Sequence, residues 1–179
     1  MEEIKRLSRD LVHKGAIIEY YQDTMQLPNN NIAKWDFIKH KGAAAVVPVL
    51  DDGRLVMVHQ YRNALERETV EIPAGGLNTS DEPTMDAAIR ELSEETGYTA
   101  ETIELLLTIR TTVAFCNEKI DIYVAKGLTP GNQHTDEDEY VDVKAYTVDD
   151  LLSMIYSGQI EDSKTIAAIL AYKDKYINK

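Results

Sequence analysis

The stretch from Gly76 to Tyr98 reads GLNTSDEPTMDAAIRELSEETGY and contains the pattern that most constrains the fold. Pro83 suits the first turn of a helix and Gly97 suits the position after its end, so the spacing predicts a helix over Pro83–Thr96. Four apolar side chains recur at helical spacing and are expected to pack against the rest of the protein: Met85, Ala88, Ile89 and Leu92.

Three carboxylates occupy a second face of the same helix. Glu91, Glu94 and Glu95 stand at positions i, i+3 and i+4, so their side chains point the same way. Neighbouring carboxylates repel one another unless a cation lies between them, and Mg²⁺ is the divalent cation that most prefers such oxygen ligands. A solvated acidic face is the alternative. The pattern favours a metal site, of a kind that commonly serves phosphate chemistry.

Length and composition indicate one globular domain, with room for a small appendage. The chain has 179 residues, of which 44% are hydrophobic and 28% charged. Its net charge of −12 argues against a nucleic-acid partner. Cys116 is the only cysteine, which suits a reducing cytosol. The longest apolar run, Ala43–Leu50, is too short to span a bilayer, and the charged start lacks a signal peptide, so we expect a cytoplasmic protein without a membrane partner.

The remaining pattern mixes strands with helices and predicts an α+β fold, an α/β/α sandwich with a mixed sheet. Residues 9–40 resemble a small antiparallel sheet. Ala43–Leu50 and Leu55–Gln60 are expected to pair as a hairpin across Asp51-Asp52-Gly53. Further strands are predicted at Thr69–Ile72, Ile103–Ile109, Ile120–Ala125 and Tyr140–Tyr146, and further helices at Val148–Tyr156 and Ser163–Tyr176.

The spacing of Gly76, Glu82, Arg90-Glu91-Leu92, Glu94-Glu95 and Gly97-Tyr98 resembles the signature box of the Nudix hydrolases, over 23 residues with nine fixed positions. The resemblance implies metal-dependent hydrolysis of a nucleoside diphosphate linked to another moiety. It makes Glu91, Glu94 and Glu95 metal ligands, joined by the carbonyl of Gly75, with Mg²⁺ as cofactor and Mn²⁺ as an alternative. Arg90 can hold the carboxylates through an i, i+4 contact, and Gly76 lets the backbone approach a ligand closely.

Features outside the box resemble the ADP-ribose pyrophosphatase branch of that family. Gln60-Tyr61-Arg62, followed by Glu71-Ile72-Pro73-Ala74-Gly75, implies that Arg62 contacts the substrate phosphates. Trp35 is expected to stack on adenine, although a buried packing role is an alternative. The acidic stretch 136–139 implies that Glu137 activates water and Glu139 binds metal, with the two roles open to exchange. Glu118 is expected to bind near the terminal ribose.

The branch also implies an assembly and a reaction. Its N-terminal strands exchange between two subunits, so we expect a homodimer, with residues 1–40 as a dimerisation region and residues 41–179 as the Nudix hydrolase domain. The expected reaction cleaves ADP-ribose to AMP and ribose 5-phosphate. Alternatives are another nucleoside diphosphate sugar, FAD or NADH, and a non-catalytic domain that senses nucleotides. The absence of a zinc-type cysteine cluster lowers the NADH alternative.

Overall fold

The computed structural model describes residues 3–135 and 140–178, and this part of the chain contains ten strands and three helices. The chain starts with an antiparallel sheet of β1 (Lys5–Lys14), β2 (Glu19–Gln26) and β3 (Ile32–Lys39), in that order. A small N-terminal antiparallel sheet was predicted, and it begins a few residues earlier than residue 9. A backbone bridge between Ile38 and Cys116 ties the end of β3 to the rest of the protein.

A four-stranded mixed sheet forms the centre of the molecule, in the order β7-β4-β9-β8. Its strands are β4 (Ala43–Pro48), β7 (Ala74–Gly76), β8 (Tyr98–Arg110) and β9 (Lys119–Pro130), and only β4 and β9 run parallel. Every residue of β4 is buried because both faces of the sheet are covered. Ala44 and Val46 face helix α1 (Thr84–Thr96), whereas the alternate residues face the opposite layer.

That opposite layer contains a second sheet and two helices. The sheet has the order β10-β5-β6, all antiparallel, from β5 (Leu55–Arg62), β6 (Arg67–Glu71) and β10 (Val141–Tyr146). The helices are α2 (Val148–Tyr156), capped by Thr147, and α3 (Ser163–Tyr176), capped by Asp162. The predicted α+β sandwich is confirmed. None of the helices in the described ranges is both long and apolar enough to cross a lipid bilayer.

The predicted hairpin between β4 and β5 is wrong. The turn itself forms, with Gly53 at φ +84° and its N–H donating to the carbonyl of Leu50. However, the two strands enter different sheets and share only the isolated bridge between Val49 and Leu55. Their remaining backbone groups are engaged elsewhere, since β4 pairs with β7 and β9 while β5 pairs with β6 and β10. The local turn signal therefore identified a change of direction, not a pairing.

Candidate active site

Helix α1 packs through fewer apolar residues than its sequence predicts. Ala87, Ala88 and Leu92 are buried against the central sheet. Met85 and Ile89, which were expected to pack, are 43% and 49% exposed. They line an open cavity of about 520 Å³ between α1 and residues of β8 such as Thr99 and Ile103. The helix ends at Gly97, where φ is +73° and the backbone of residues 131–133 approaches too closely for a Cβ.

Arg90 organises two of the three carboxylates on the other face of α1. Its Nη1 donates to Glu91 Oε1 at 2.6 Å and to Glu94 Oε2 at 2.9 Å. Nη2 donates to the carbonyl of Gly76 at 3.1 Å, and Nε lies 3.6 Å from Glu82 Oε1. A single guanidinium thus joins the helix to the end of β7 and fixes the rotamers of both glutamates.

The third carboxylate and strand β7 are held together directly. Glu95 is buried, and its Oε2 accepts the backbone N–H of Ala74 at 2.9 Å. The carboxylate of Glu91 occupies the space that a Cβ at Gly75 would fill, whereas a Cβ at Gly76 would meet no described atom within 4 Å. The packing of β7 against Glu91 therefore requires a glycine at position 75, and the approach of a ligand to the backbone of Gly76 stays a prediction.

The donors around β7 are of the type that a hard divalent cation prefers. Glu91, Glu94 and Glu95 offer three carboxylates against the single positive charge of Arg90, and the backbone of Gly75 touches one of them. Among the described residues, no three Asp, Glu, His or Cys side chains converge closely enough to hold a metal ion as they stand. A cation would have to compete with Arg90 for the carboxylates of Glu91 and Glu94.

Arg62 lies at a second part of the site, beside β7. It shares a cavity of about 470 Å³ with Gly75, Gly76 and Glu118. Its Nε and Nη2 donate to the two carboxylate oxygens of Glu71 at 2.8 and 2.7 Å, while Nη1 makes no hydrogen bond to any residue that the structure describes. Glu71, followed by the nearby charge of Glu95, favours the charged guanidinium and raises the pKa of Arg62.

Glu71 is a buried residue to which the sequence analysis assigned no role. It is 3% exposed and accepts hydrogen bonds from Arg62, Thr69 and Lys164. Burial by itself raises the pKa of its carboxyl, but Arg62 and Lys164 outweigh burial and lower the pKa to about 2. Glu71 and Lys164 are 93 residues apart, so helix or strand periodicity could not connect them. The only sequence feature that pointed to Glu71 was the stretch Glu71–Gly75, which resembles the ADP-ribose pyrophosphatase branch.

The other predicted residues are distributed over two cavities. Glu118 is held by the hydroxyl of Thr111 at 2.6 Å and lies 3.4 Å from Nδ1 of His40. Trp35 is 45% exposed and lines a separate cavity of about 640 Å³ with Tyr20 and Phe115. Within the described chain, Trp35 is therefore not brought to the cavity of Arg62, and it is not a buried packing residue. Glu137 and Glu139 lie outside the described residues.

The sequence and the fold of this chain are similar to those of known proteins. The family model described as "NUDIX domain" matches residues 39–169. A Bacillus methanolicus protein described as a methanol dehydrogenase activator is 40% identical, over 93% of this chain and 91% of its own length. ADP-ribose pyrophosphatases from Bacillus subtilis and Mycobacterium tuberculosis are 38% and 32% identical, over 93% and 94% of this chain and 91% and 83% of their own lengths. The crystal structure of an ADP compounds hydrolase superposes with a TM-score of 0.86 at 18% identity, covering 97% of this chain and 94% of that one, which shows a shared fold.

Proposed function

The chain belongs to the Nudix family, and from this we propose that it hydrolyses the pyrophosphate of ADP-ribose to AMP and ribose 5-phosphate, with Mg²⁺ as cofactor and Mn²⁺ as an alternative. The observation that carries the proposal is the placement of Arg62 in one cavity with strand β7, which the carboxylates of Glu91 and Glu95 contact. Relatives that are called ADP-ribose pyrophosphatases support the choice of substrate.

The proposed roles follow from what each side chain can donate or accept. Arg62 offers Nη1 to a phosphate oxygen, and its charge offsets the charge of the diphosphate. Arg90 orients Glu91 and Glu94, while the N–H of Ala74 orients Glu95. When bound through Glu91, Glu94, Glu95, the Gly75 carbonyl and Glu139, a divalent cation neutralises charge on the phosphate oxygens and the leaving group.

In the chemical step, the oxygen of a water molecule forms a bond to one phosphorus and the bond from that phosphorus to the bridging oxygen breaks. Glu137 accepts the proton that the water loses. The bridging oxygen leaves with one product as part of its phosphate. Glu118, which lines the same cavity as Arg62, binds the terminal ribose in this proposal, and Gly76 provides backbone contact to the substrate.

We also propose a cytoplasmic homodimer in which the N-terminal sheet packs on a second copy. Large apolar side chains of this region are more than 40% exposed in the single chain, among them Ile4, Leu7, Leu11, Val12, Ile17 and Trp35. Trp35 would then stack on the adenine where the two copies meet. Size-exclusion chromatography with light scattering tests the assembly, and a monomer at assay concentrations would contradict it.

A second candidate function is regulatory. The relative at 40% identity is described as an activator of methanol dehydrogenase, so this chain is a candidate activator of an alcohol dehydrogenase. Adding the purified protein to a methanol dehydrogenase assay tests this role. A rise in dehydrogenase rate that survives in a Glu95→Gln variant would separate regulation from hydrolysis.

The proposed hydrolysis is tested with a substrate panel. The purified protein is incubated with ADP-ribose, other nucleoside diphosphate sugars, FAD and NADH, in Mg²⁺ and in a chelator, and the products are separated by chromatography. AMP and ribose 5-phosphate from ADP-ribose, formed only with the cation, are expected. Brisk cleavage of another compound with no release of AMP from ADP-ribose would refute the choice of substrate.

A further inference from the structure

The first turn of α3 is linked to the proposed phosphate-binding arginine through a chain of charged contacts. Lys164 is the second residue of α3 and is 8% exposed. Its Nζ donates to Glu71 Oε2 and, at 2.9 Å, to Asp162 Oδ2. Glu71 in turn holds Arg62 through two hydrogen bonds. Lys164 also lines the cavity that contains Arg62 and Gly75.

Each oxygen of the Glu71 carboxylate accepts two hydrogen bonds. Oε1 accepts from Arg62 Nε at 2.8 Å and from Thr69 Oγ1 at 2.6 Å, while Oε2 accepts from Arg62 Nη2 at 2.7 Å and from Lys164. Two donors on each oxygen fix the rotation of the carboxylate. Because a guanidinium that makes two parallel bonds must lie in the plane of its carboxylate, the plane of Arg62 is fixed as well. The direction in which the remaining nitrogen, Nη1, points is therefore fixed by Glu71 and by the residues that hold Glu71.

The same helical turn is anchored to the strand that borders the site. Asp162 caps α3 by accepting from Thr165 N at 3.0 Å, and Thr165 Oγ1 accepts the N–H of Ile72 at 3.0 Å. Ile72 lies two residues before Ala74, where β7 begins. A displacement of the first turn of α3 would thus shift both Arg62 and strand β7.

We propose that Lys164 is a positioning residue, which orients Arg62 toward the substrate diphosphate by holding Glu71. This inference rests on the proposed function, in which Arg62 binds phosphate. The four charges of the network balance, with Arg62 and Lys164 against Glu71 and Asp162. Lys164 therefore acts on substrate binding through the geometry of Arg62, not as an additional free cation.

The test compares KM and kcat for ADP-ribose at saturating Mg²⁺. Lys164→Met is expected to raise KM by about tenfold and to change kcat by less than about threefold, since Arg62 binds the diphosphate in ground state and transition state alike. Lys173→Met, on the same helix but outside the network, is the control and should match the wild type. An unchanged KM in a folded Lys164→Met protein overturns the proposal. If that variant does not fold, Lys164→Gln replaces it. The shorter amide of glutamine cannot reach both Glu71 and Asp162, so the same changes in KM and kcat are expected.

Two double variants separate positioning from charge. In an Arg62→Ala background, Lys164→Met should cause no further rise in KM, whereas independent additive effects would contradict action through Arg62. Asp162→Asn with Lys164→Met restores the charge balance and keeps a good helix cap. KM should stay raised in that variant, and its return to the wild-type value would show that only charge mattered. If the wild type does not cleave ADP-ribose, the proposed substrate fails, and the same KM series on the diphosphate that is cleaved still tests Lys164.

Discussion

Neutralising Glu71 should cost the protein a measurable and pH-dependent part of its stability. The carboxylate is buried, and its two cationic partners lower its pKa from 4.5 to about 2. Each pKa unit corresponds to about 1.4 kcal/mol, so the ionised group stabilises the folded state by about 3 kcal/mol relative to the unfolded chain. Removing one partner from a buried ion pair typically costs about 3–5 kcal/mol, which agrees with this value.

The sign of the pH dependence follows from the lowered pKa. Because the folded-state value lies below the unfolded one, the stabilisation is fully present above about pH 5 and is lost as the pH falls toward about 2. Glu71→Gln lacks this contribution at every pH. The variant should therefore be about 3 kcal/mol less stable than the wild type at neutral pH, and the two proteins should converge in acid.

Urea denaturation at several pH values between neutral and acid measures both quantities. A loss of about 3 kcal/mol in a chain of this length corresponds to a fall in Tm of roughly 6–12 °C. Glu68→Gln is the matched control, since Glu68 lies on the same strand and is exposed, and it should stay within about 0.5 kcal/mol of the wild type. A Glu71→Gln protein within about 1 kcal/mol of the wild type at neutral pH, with an unchanged acid slope, would refute the reasoning.

Three further predictions concern residues of the proposed active site. Gly75→Ala should displace the Glu91 carboxylate and weaken Mg²⁺ activation, seen as a higher cation concentration for half-maximal rate. A Cβ at Gly76 meets no described protein atom, so Gly76→Ala reports only the loss of a backbone contact to the substrate. Glu95→Gln should lower kcat by orders of magnitude with little change in the circular dichroism spectrum, and a near wild-type rate would remove Glu95 from the proposed metal ligands. Glu137→Gln should lower kcat more than it raises KM, and the reverse pattern would make Glu137 a binding residue.

The local parts of this fold were predictable from the sequence because their signals are local. Helix α1 was predicted to within one residue, and α2 and α3 have the predicted bounds, since turn and cap residues mark their ends. The i, i+4 contact between Arg90 and Glu94 follows from helix geometry in the same way. Strand pairing is different. Asp51-Asp52-Gly53 turns the chain as expected, but the partners of β4 come from residues 74–76 and 120–125, which no local pattern indicates.

Burial within α1 shows the same limit at the level of single side chains. Periodicity puts Met85, Ala88, Ile89 and Leu92 on one stripe, and the structure buries only two of them. Met85 and Ile89 instead line a cavity beside β8, and which side chains of a helix are covered depends on the assembled sheet. Ala87 is buried because small residues of β4 let the helix approach closely.

The candidate site has one part built from neighbouring residues of a single helix and another part built from residues far apart in the sequence. Only the arrangement of the first part could be predicted from the sequence. The glutamates and Arg90 come from one helix, so their arrangement follows from their spacing, whereas the reaction class followed from the resemblance to the Nudix signature. The part of the site proposed to bind the diphosphate joins Arg62 and Glu71, nine residues apart, to Lys164, which is 93 residues beyond Glu71. Such a contact exists only when α3 docks beside β6. In this chain, binding of the diphosphate through Arg62 should therefore depend on the docking of α3 as well as on the residues of β5 and β6, and the KM series on Lys164 measures that dependence.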